Sequence, residues 1–302
     1  MAYHVELQFA AKTDTGLVRS HNEDSVALSP THGLAILADG MGGYQAGEVA
    51  SGIATGILKE SLEARLQNFG WALKPNRSKS LQQMVVESIE HANIAIYEAA
   101  RSELQYGGMG TTLVMAMFHN DKAIIAHVGD SRAYRFRQGE VDLITRDHSF
   151  LQEQIDAGLI DPEWARFSPN RNLVTRAVGV NYGVEVEVAE HQTEAGDIYL
   201  LCSDGLSDML STQEINEILT RAIPVSQPQA AATQGEPGAD PSESSPGEAA
   251  SMDAMLDATC SELIQRANDN GGRDNISVIL VKVQSRNAEA KGWLEQLISW
   301  VK

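Results

Sequence analysis

Four short motifs each place an aspartate at the end of an apolar, strand-like segment. The motifs are Ala-Asp-Gly-Met-Gly-Gly, Gly-Asp-Ser-Arg, Ser-Asp-Gly and Gly-Arg-Asp-Asn, and their aspartates are Asp39, Asp130, Asp204 and Asp274. One Asp-Gly dipeptide indicates no more than a turn. Four motifs beside strands indicate more, because the strand ends of one sheet can converge on a single crevice. We therefore expect these carboxylates to lie close together.

Converging carboxylates repel one another and raise one another's pKa values unless cations lie between them. The sequence therefore predicts a metal site. Oxygen ligands without cysteine and without an obvious histidine pair suit Mg²⁺ or Mn²⁺ and argue against zinc. Gly40, Gly42 and Gly43 follow Asp39 and leave room for a backbone carbonyl and water to approach an ion.

The segment Arg-Ser-His-Asn-Glu-Asp, residues 19–24, offers a second set of polar groups. The guanidinium of Arg19 is a fixed fork of donors that matches phosphate oxygens, and the carboxylate of Asp24 could hold a metal-bound water. The motif alone fits equally well a surface arginine beside a charged turn, where an ion pair contributes little.

The elements that must position these residues are predicted as strands in runs and helices in pairs. Short connections such as Asn120-Asp121 allow only hairpins, so the strands should be antiparallel. This pattern predicts an α+β fold in which antiparallel sheets carry helices on their outer faces. The predicted strands are 5–9, 24–28, 33–38, 111–118, 122–127, 132–137, 141–144, 184–189, 198–202 and 276–283, and the predicted helices are 46–67, 80–104, 213–221 and 252–268.

The composition excludes several classes of partner. The 302 residues carry a formal net charge of −18, which repels nucleic acids and anionic lipid surfaces. The two cysteines, Cys202 and Cys260, are far apart and in no zinc-ligand spacing, which predicts a reducing compartment. Without a secretory signal or a membrane-spanning apolar run, we expect a cytoplasmic protein.

Five segments together resemble the ordered motif set of the metal-dependent serine/threonine protein phosphatases, the type 2C or PPM family, in their bacterial form. The segments are 19–24, 39–43, 129–132, 203–205 and 271–276, and the resemblance extends from about Phe9 to Val283. Five motifs in the family's order are far more specific than any one of them.

The resemblance implies a sandwich of two antiparallel β-sheets flanked by pairs of α-helices, with two Mn²⁺ or Mg²⁺ ions at one end. These ions would activate a water molecule for attack on the phosphorus of phosphoserine or phosphothreonine. By the same resemblance, Asp39 would bridge the two ions, Gly40 would offer its carbonyl to one, and Asp204 and Asp274 would hold the other. Asp130 and Asp204 would bind a third ion. Arg19 would clamp the substrate phosphate, and Asp24 would orient metal-bound water.

One position departs from many eukaryotic relatives, which have histidine two residues after the bridging aspartate. Here that residue is Met41, so the proton donor to the leaving group is unassigned. His148, at the start of a loop-rich segment that resembles the family's flap, is a candidate substitute; the alternative is a structural or surface histidine.

The expected domain organisation is a catalytic domain, 1–286, with a flap-like segment at 146–176 and a disordered acidic insertion at 223–250. Arg166, Arg171 and Arg176 in the flap either attract acidic phosphoprotein surfaces or are ordinary solvated charges. Residues 287–302 are predicted to form an amphipathic helix that packs on its own domain or docks a partner, with membrane binding the least favoured interpretation.

Three functions fit the sequence. The first is a phosphoprotein phosphatase that opposes a bacterial-type serine/threonine kinase. The second is a phosphatase of small phosphoesters, which the same metal centre would permit. The third is a non-catalytic binding module, which would be expected to lack a metal ligand, whereas none is missing from these motifs.

Overall fold

Two antiparallel sheets lie face to face and carry helices on their outer faces, so the fold class predicted from the sequence is confirmed. The structure is a computed structural model, and it describes residues 6–43, 45–68, 77–161, 173–223 and 246–284.

The first sheet has the strand order β1-β11-β10-β7-β8, and neighbouring strands in it are antiparallel. Its strands come from distant parts of the chain, and β11, near the C-terminal end of the described chain, pairs with β1 along its whole length. The bounds are β1 Leu7–Asp14, β7 Arg132–Arg137, β8 Glu140–Leu143, β10 Ile198–Cys202 and β11 Ile276–Val283.

The second sheet has the order β2-β3-β5-β6-β9, and the short strand β4 pairs with the end of β3. β5 and β6 form the hairpin that the short connection at 120–121 predicts. The similarly short connection at 129–131, also expected to be a hairpin, instead leads from β6 to β7 in the other sheet, so that prediction was wrong. The bounds are β2 Asp24–Ser29, β3 Leu34–Met41, β4 Gly110–Thr111, β5 Leu113–His119, β6 Lys122–Val128 and β9 Glu187–Gln192.

The side chains of β3 divide between two apolar layers because successive residues of a strand point to opposite faces. Ala35 and Leu37 pack between the two sheets, against residues such as Tyr199. Leu34 and Ile36 pack on the other face, against the helices of the second sheet. Both faces of this strand are therefore buried, which explains why its sequence is an almost continuous apolar run.

Each sheet has its own helical cover. α1 (Ala46–Asn68) and α2 (Arg77–Ser102) pack on the second sheet. α4 (Asp204–Ser207), α5 (Thr212–Ala222) and α6 (Pro246–Asp269) lie on the first sheet, and α3 (Phe150–Asp156) lies at the base of the flap-like segment. The start of α5 is fixed by a capping box in which Ser211 and Glu214 satisfy each other's backbone N–H groups.

Several element boundaries differ from the sequence prediction, and three of the differences have a clear local signal. β1 runs to Asp14 rather than ending at residue 9, since each of its residues has a partner on β11. β9 begins at Glu187 rather than 184, where pairing with β6 begins. α6 begins at Pro246, inside the predicted insertion 223–250, because proline suits the first turn of a helix.

Several predicted segments fall outside the described residues. These are residues 224–245 of the acidic insertion, residues 162–172 of the flap with Arg166 and Arg171, and the predicted helix at 287–302. In the part of the chain that is described, no helix is long and apolar enough to cross a bilayer.

The inter-sheet layer should carry much of the stability. Leu201→Ala, which truncates a fully buried side chain between the sheets, is expected to lower the free energy of unfolding by about 2–5 kcal/mol because it leaves a cavity. The same truncation at the exposed Leu104 should change it by less than about 0.5 kcal/mol. Denaturant titrations of the two variants measure both values, and equal effects would contradict the assigned layer.

Candidate metal centre

The strand ends at one edge of the sandwich bring the predicted aspartates together. Asp39 lies near the end of β3, directly opposite Asp24, the first residue of β2. Asp204 follows β10 by two residues, and Asp274 precedes β11 by two residues. Asp130 lies in the turn between β6 and β7, next to a glycine with a φ of +107°. Antiparallel pairing therefore collects carboxylates that are distant in sequence.

The electrostatics of Asp39 show how close these groups are. Burial raises the pKa of Asp39 well above its ordinary value, and the neighbouring carboxylates of Asp24, Asp204, Asp130 and Asp274 raise it further. The pKa of Asp204 is raised in the same way, first by burial and then by neighbouring acidic groups that include Asp130 and Asp274. A cluster of this kind favours either bound protons or bound cations.

Asp24 and Asp130 have pKa values raised to about 6, and burial is the largest cause for both. One carboxylate oxygen of Asp24 and one of Asp204 are buried without a hydrogen-bond donor among the described residues. A buried acceptor without a partner costs free energy, about 1–3 kcal/mol for a neutral group and more for a charged one. A divalent cation would satisfy these oxygens directly.

A framework of hydrogen bonds holds the acidic groups in place. Asn275 accepts from the backbone N–H of Glu23 at 2.8 Å and donates to the carbonyls of Thr15 and His21 at 2.9 and 2.8 Å. The Ser203 hydroxyl donates to an Asp24 carboxylate oxygen at 2.8 Å. It accepts from the backbone N–H of Ser277, the second residue of β11, at 2.9 Å. The loop that carries Arg19 is thus tied to the start of β11.

Gly40 must be glycine because the start of α1 lies directly against it. A Cβ at this position would lie 2.1 Å from the backbone oxygen of Gly47 and 2.6 Å from that of Glu23. The N–H of Gly40 donates to the same Glu23 carbonyl at 3.1 Å. This close approach fixes the backbone at Gly40 next to Asp39 in the acidic cluster.

Arg19 lies at the mouth of the cluster and is about half exposed, at 52% for its side chain. Its Nη2 donates to Asp274 Oδ2 at 2.7 Å. The guanidinium has further donors that can bind a phosphate group. Arg19 therefore lies beside Asp274 at the edge of the acidic cluster, with further donors available.

Glu23 is a candidate ligand that the sequence motifs did not single out. Burial raises the pKa of its carboxyl group, and the backbone N–H of Gly47 lies close enough to lower that pKa in part. Its buried Oε1 makes no hydrogen bond of good geometry among the described residues. Its carboxyl group also lies close to Gly47, where an added Cβ would come within 2.8 Å of it. The position beside Asp24 in the Asn-Glu-Asp run was the available signal.

The contacts of His148 favour the structural alternative over a proton donor. Its Nδ1 accepts from the N–H of Gly129 at 3.1 Å, and its Nε2 lies 3.3 Å from Glu187 Oε2. Its side chain is only 6% exposed and stacks on His127, with the ring centroids 4.6 Å apart. These contacts fit a structural histidine that joins the flap base to the β6–β7 turn.

His127, His148 and Glu187 form a second group with potential ligand atoms within 4.8 Å of one another. The two rings are nearly parallel, at 14°, whereas a histidine nitrogen directs its lone pair in the plane of its own ring. Because His148 Nδ1 accepts a hydrogen bond, the proton of the neutral ring is on Nε2. This arrangement suits stacking and hydrogen bonding better than metal binding.

The flap base is anchored by Arg132, whose guanidinium forms a bidentate pair with Asp147 at 2.6 and 2.9 Å. Arg176, from the flap, pairs with Glu185 at 3.3 Å and is partly exposed. This pairing gives the Arg176 charge a nearby partner, consistent with the interpretation of solvated surface charge.

The sequence model of the family described as Protein phosphatase 2C matches residues 18–235. The chain belongs to this family. The match includes Arg19 and the aspartates of the first three motifs, and the fold and the acidic cluster accord with it.

Two curated relatives illustrate the family's range. The serine/threonine protein phosphatase PstP of Mycobacterium tuberculosis is 40% identical over 70% of this chain, and the chain spans only 39% of that protein's length. The serine/threonine phosphatase stp of Listeria innocua is 33% identical over 93% of this chain and 96% of its own length.

Solved structures show the same fold. The catalytic domain of PstP in complex with two manganese ions is 34% identical, with a TM-score of 0.71 and coverage of 92% of this chain and 99% of that one. The phosphatase Stp1 of Staphylococcus aureus is 30% identical, with a TM-score of 0.72 and coverage of 94% and 97%.

Removing one acidic group should stabilise the protein when no metal is present. Because the pKa of Asp39 is raised, the folded state binds a proton that the unfolded state has released at pH values between the unfolded-state and the folded-state pKa. This carboxyl group's contribution to stability is therefore retained at low pH and lost as the pH rises through the folded-state pKa. In chelator at neutral pH, Asp39→Asn should unfold at a higher temperature than the wild type.

The matched control is Asp253→Asn, at an exposed position of α6, which should leave the unfolding temperature nearly unchanged. The gain from Asp39→Asn should shrink at about pH 4, where the carboxyl group is protonated in the folded state and partly protonated in the unfolded state. A lower unfolding temperature for Asp39→Asn at neutral pH would contradict the described electrostatics.

Proposed function

We propose that this chain is a metal-dependent protein phosphatase that hydrolyses phosphoserine and phosphothreonine. The observation that carries the proposal is the convergence of Asp39, Asp204 and Asp274, with Asp24 and Asp130, on one end of a sandwich of the phosphatase 2C type. Family membership supports the reaction class, and the two manganese ions in the solved structure of the PstP catalytic domain support the choice of metal.

Two Mn²⁺ or Mg²⁺ ions are proposed to occupy the cluster, since its donor set consists of carboxylate and backbone oxygens. Asp39 would bridge them, the Gly40 carbonyl would bind one, and Asp204 and Asp274 would bind the other. A third ion would bind Asp130 together with Asp204. The oxygens of Asp24 and Asp204 that lack hydrogen-bond donors among the described residues are the physical support for added cations.

When bound, the ions supply a nucleophile from water at neutral pH and stabilise the charge that develops on the phosphoryl group. Arg19 would bind phosphate oxygens with its further donors and so align phosphorus for in-line attack. Asp24, with a pKa raised to about 6, would accept a hydrogen bond from the attacking water and orient it. No covalent intermediate with the protein is required.

Phosphoproteins are the proposed substrates, because the relatives are named serine/threonine phosphatases. A serine/threonine kinase would supply these substrates. The catalytic domain is proposed to comprise residues 1–286, and the amphipathic helix at 287–302 remains a prediction. A cytoplasmic location is also proposed, supported by Cys202 and Cys260, which are both buried and unpaired.

The direct test is metal-dependent phosphate release. The wild type should hydrolyse an aryl phosphate and a phosphothreonine peptide with Mn²⁺, and a chelator should stop both reactions. Asp39→Asn and Asp204→Asn should each lower kcat/KM by at least about a hundredfold, since both would remove a ligand of the ions. Asp253→Asn is the control at an exposed site and should match the wild type.

Near wild-type turnover in Asp39→Asn or Asp204→Asn would refute the metal assignment. Hydrolysis of nucleotides and sugar phosphates in preference to phosphopeptides would favour a small-molecule phosphatase. Inactivity of the wild type with every divalent cation would favour a non-catalytic module.

Metal affinity should weaken in acid. The ligand carboxylates must lose their protons to bind a cation, and Asp24 and Asp130 have pKa values of about 6. The apparent dissociation constant for Mn²⁺ should therefore increase by about tenfold or more between neutral pH and about pH 5. Calorimetric titrations over this range measure it, and a constant affinity would contradict the raised pKa values.

A further inference from the structure

A cavity of about 350 Å³ opens beside the acidic cluster. Asp130 and Asp204 form part of its lining and so connect it to the candidate metal centre. Leu151 and Ile155 of α3 and Met209, after α4, give it apolar surface. A phosphorylated side chain that reaches the metal centre would place its neighbouring residues near this cavity.

Two arginines line the cavity, and they differ in their charge partners. Arg132 is neutralised by its bidentate pair with Asp147. Arg273 is exposed and forms no ion pair with any residue that the structure describes. Arg19, which does not line the cavity, is already bonded to Asp274 at 2.7 Å. Arg273 is therefore the cation of this cavity that can take up a new carboxylate.

The backbone position of Arg273 is fixed by the turn that precedes it. Gly271 and Gly272 have φ angles of +128° and +48°, which side-chain-bearing residues rarely adopt. The carbonyl of Gly272 accepts from the N–H of Leu17 at 2.7 Å, so this turn is tied to the loop that precedes Arg19. Arg273 thus starts from a well-defined point next to a candidate metal ligand, residue 274, and its side chain reaches the cavity.

The cavity as a whole is not basic, because Asp130, Asp147, Asp204 and Asp208 also line it. Only a carboxylate in direct contact with Arg273 would therefore be favoured. The protein has a net charge of −18, which at long range opposes acidic substrates. At about 0.15 M salt the Debye length is about 8 Å, so distant charges are largely screened while a direct contact is not. A carboxylate that meets Arg273 gains a charge-assisted hydrogen bond.

We propose that Arg273 is a specificity-determining residue that favours substrates with an aspartate or glutamate close to the phosphorylated residue. The inference rests on the proposed phosphatase function and adds to it the chemistry of the flanking sequence. The apolar part of the cavity would accommodate the stem of the acidic side chain, and the guanidinium would bind its carboxylate.

The test uses pairs of phosphothreonine peptides that differ only by glutamate or glutamine at one position, scanned over the three residues on each side. For the wild type, kcat/KM for glutamate should exceed that for glutamine by about threefold to tenfold at one or two positions, mainly through KM. Arg273→Gln should bring this ratio to about one, Arg273→Glu should invert it, and Arg273→Lys should retain part of it.

The ratio is compared within each variant, so it does not depend on changes in overall turnover. Arg101→Gln, which removes an exposed charge on α2 away from the cavity, should leave the ratio at its wild-type value. A wild type without a glutamate preference at any position, or an Arg273→Gln variant that keeps the preference, would overturn the inference.

The two levels of proposal fail in distinguishable ways. Release of phosphate from these peptides without discrimination overturns the role of Arg273 and leaves the phosphatase function intact. Absence of metal-dependent release from both the peptides and an aryl phosphate overturns the function and the inference together.

Discussion

Mutual repulsion between carboxylates is the constraint on which the rest of this structure depends. Asp39 lies in the field of four other acidic groups, and all of them, like burial itself, raise its pKa. Such a cluster destabilises the folded chain at neutral pH unless protons or cations occupy it. The protein therefore carries a local free-energy cost at one end of the sandwich, and cation binding would relieve it.

The sandwich holds the cluster because most of its acidic groups are fixed to strand ends. The cores on both sides of β3 and the layer between the sheets are tightly buried. Hydrogen bonds accepted by the side chains of Asn275 and Ser203 connect the loops of the site to the start of β11. A site built on rigid elements with a supporting hydrogen-bond shell can keep its ligands aligned for two ions and a phosphate.

Much of this arrangement was predictable because local signals agreed with the fold. The aspartates at strand ends, the paired helices and the short β5–β6 hairpin all indicated the correct architecture. The roles of Glu23 and Asn275 were not predictable in the same way, since they depend on contacts between distant segments, as in the bond between these two residues at a separation of 252. The start of β9 was misplaced because valines at 184, 186 and 188 alternate like strand residues, while pairing with β6 begins only at Glu187.

The binuclear centre is tested most directly by a crystal structure of the protein grown with Mn²⁺, with anomalous diffraction recorded at the manganese absorption edge. If the carboxylates gather around two ions, two strong anomalous peaks should lie about 3.5–4 Å apart. Both peaks should lie among the side chains of Asp39, Asp204 and Asp274. Peaks located only elsewhere, such as beside His127 and His148, or no peak at saturating manganese, would contradict this assignment.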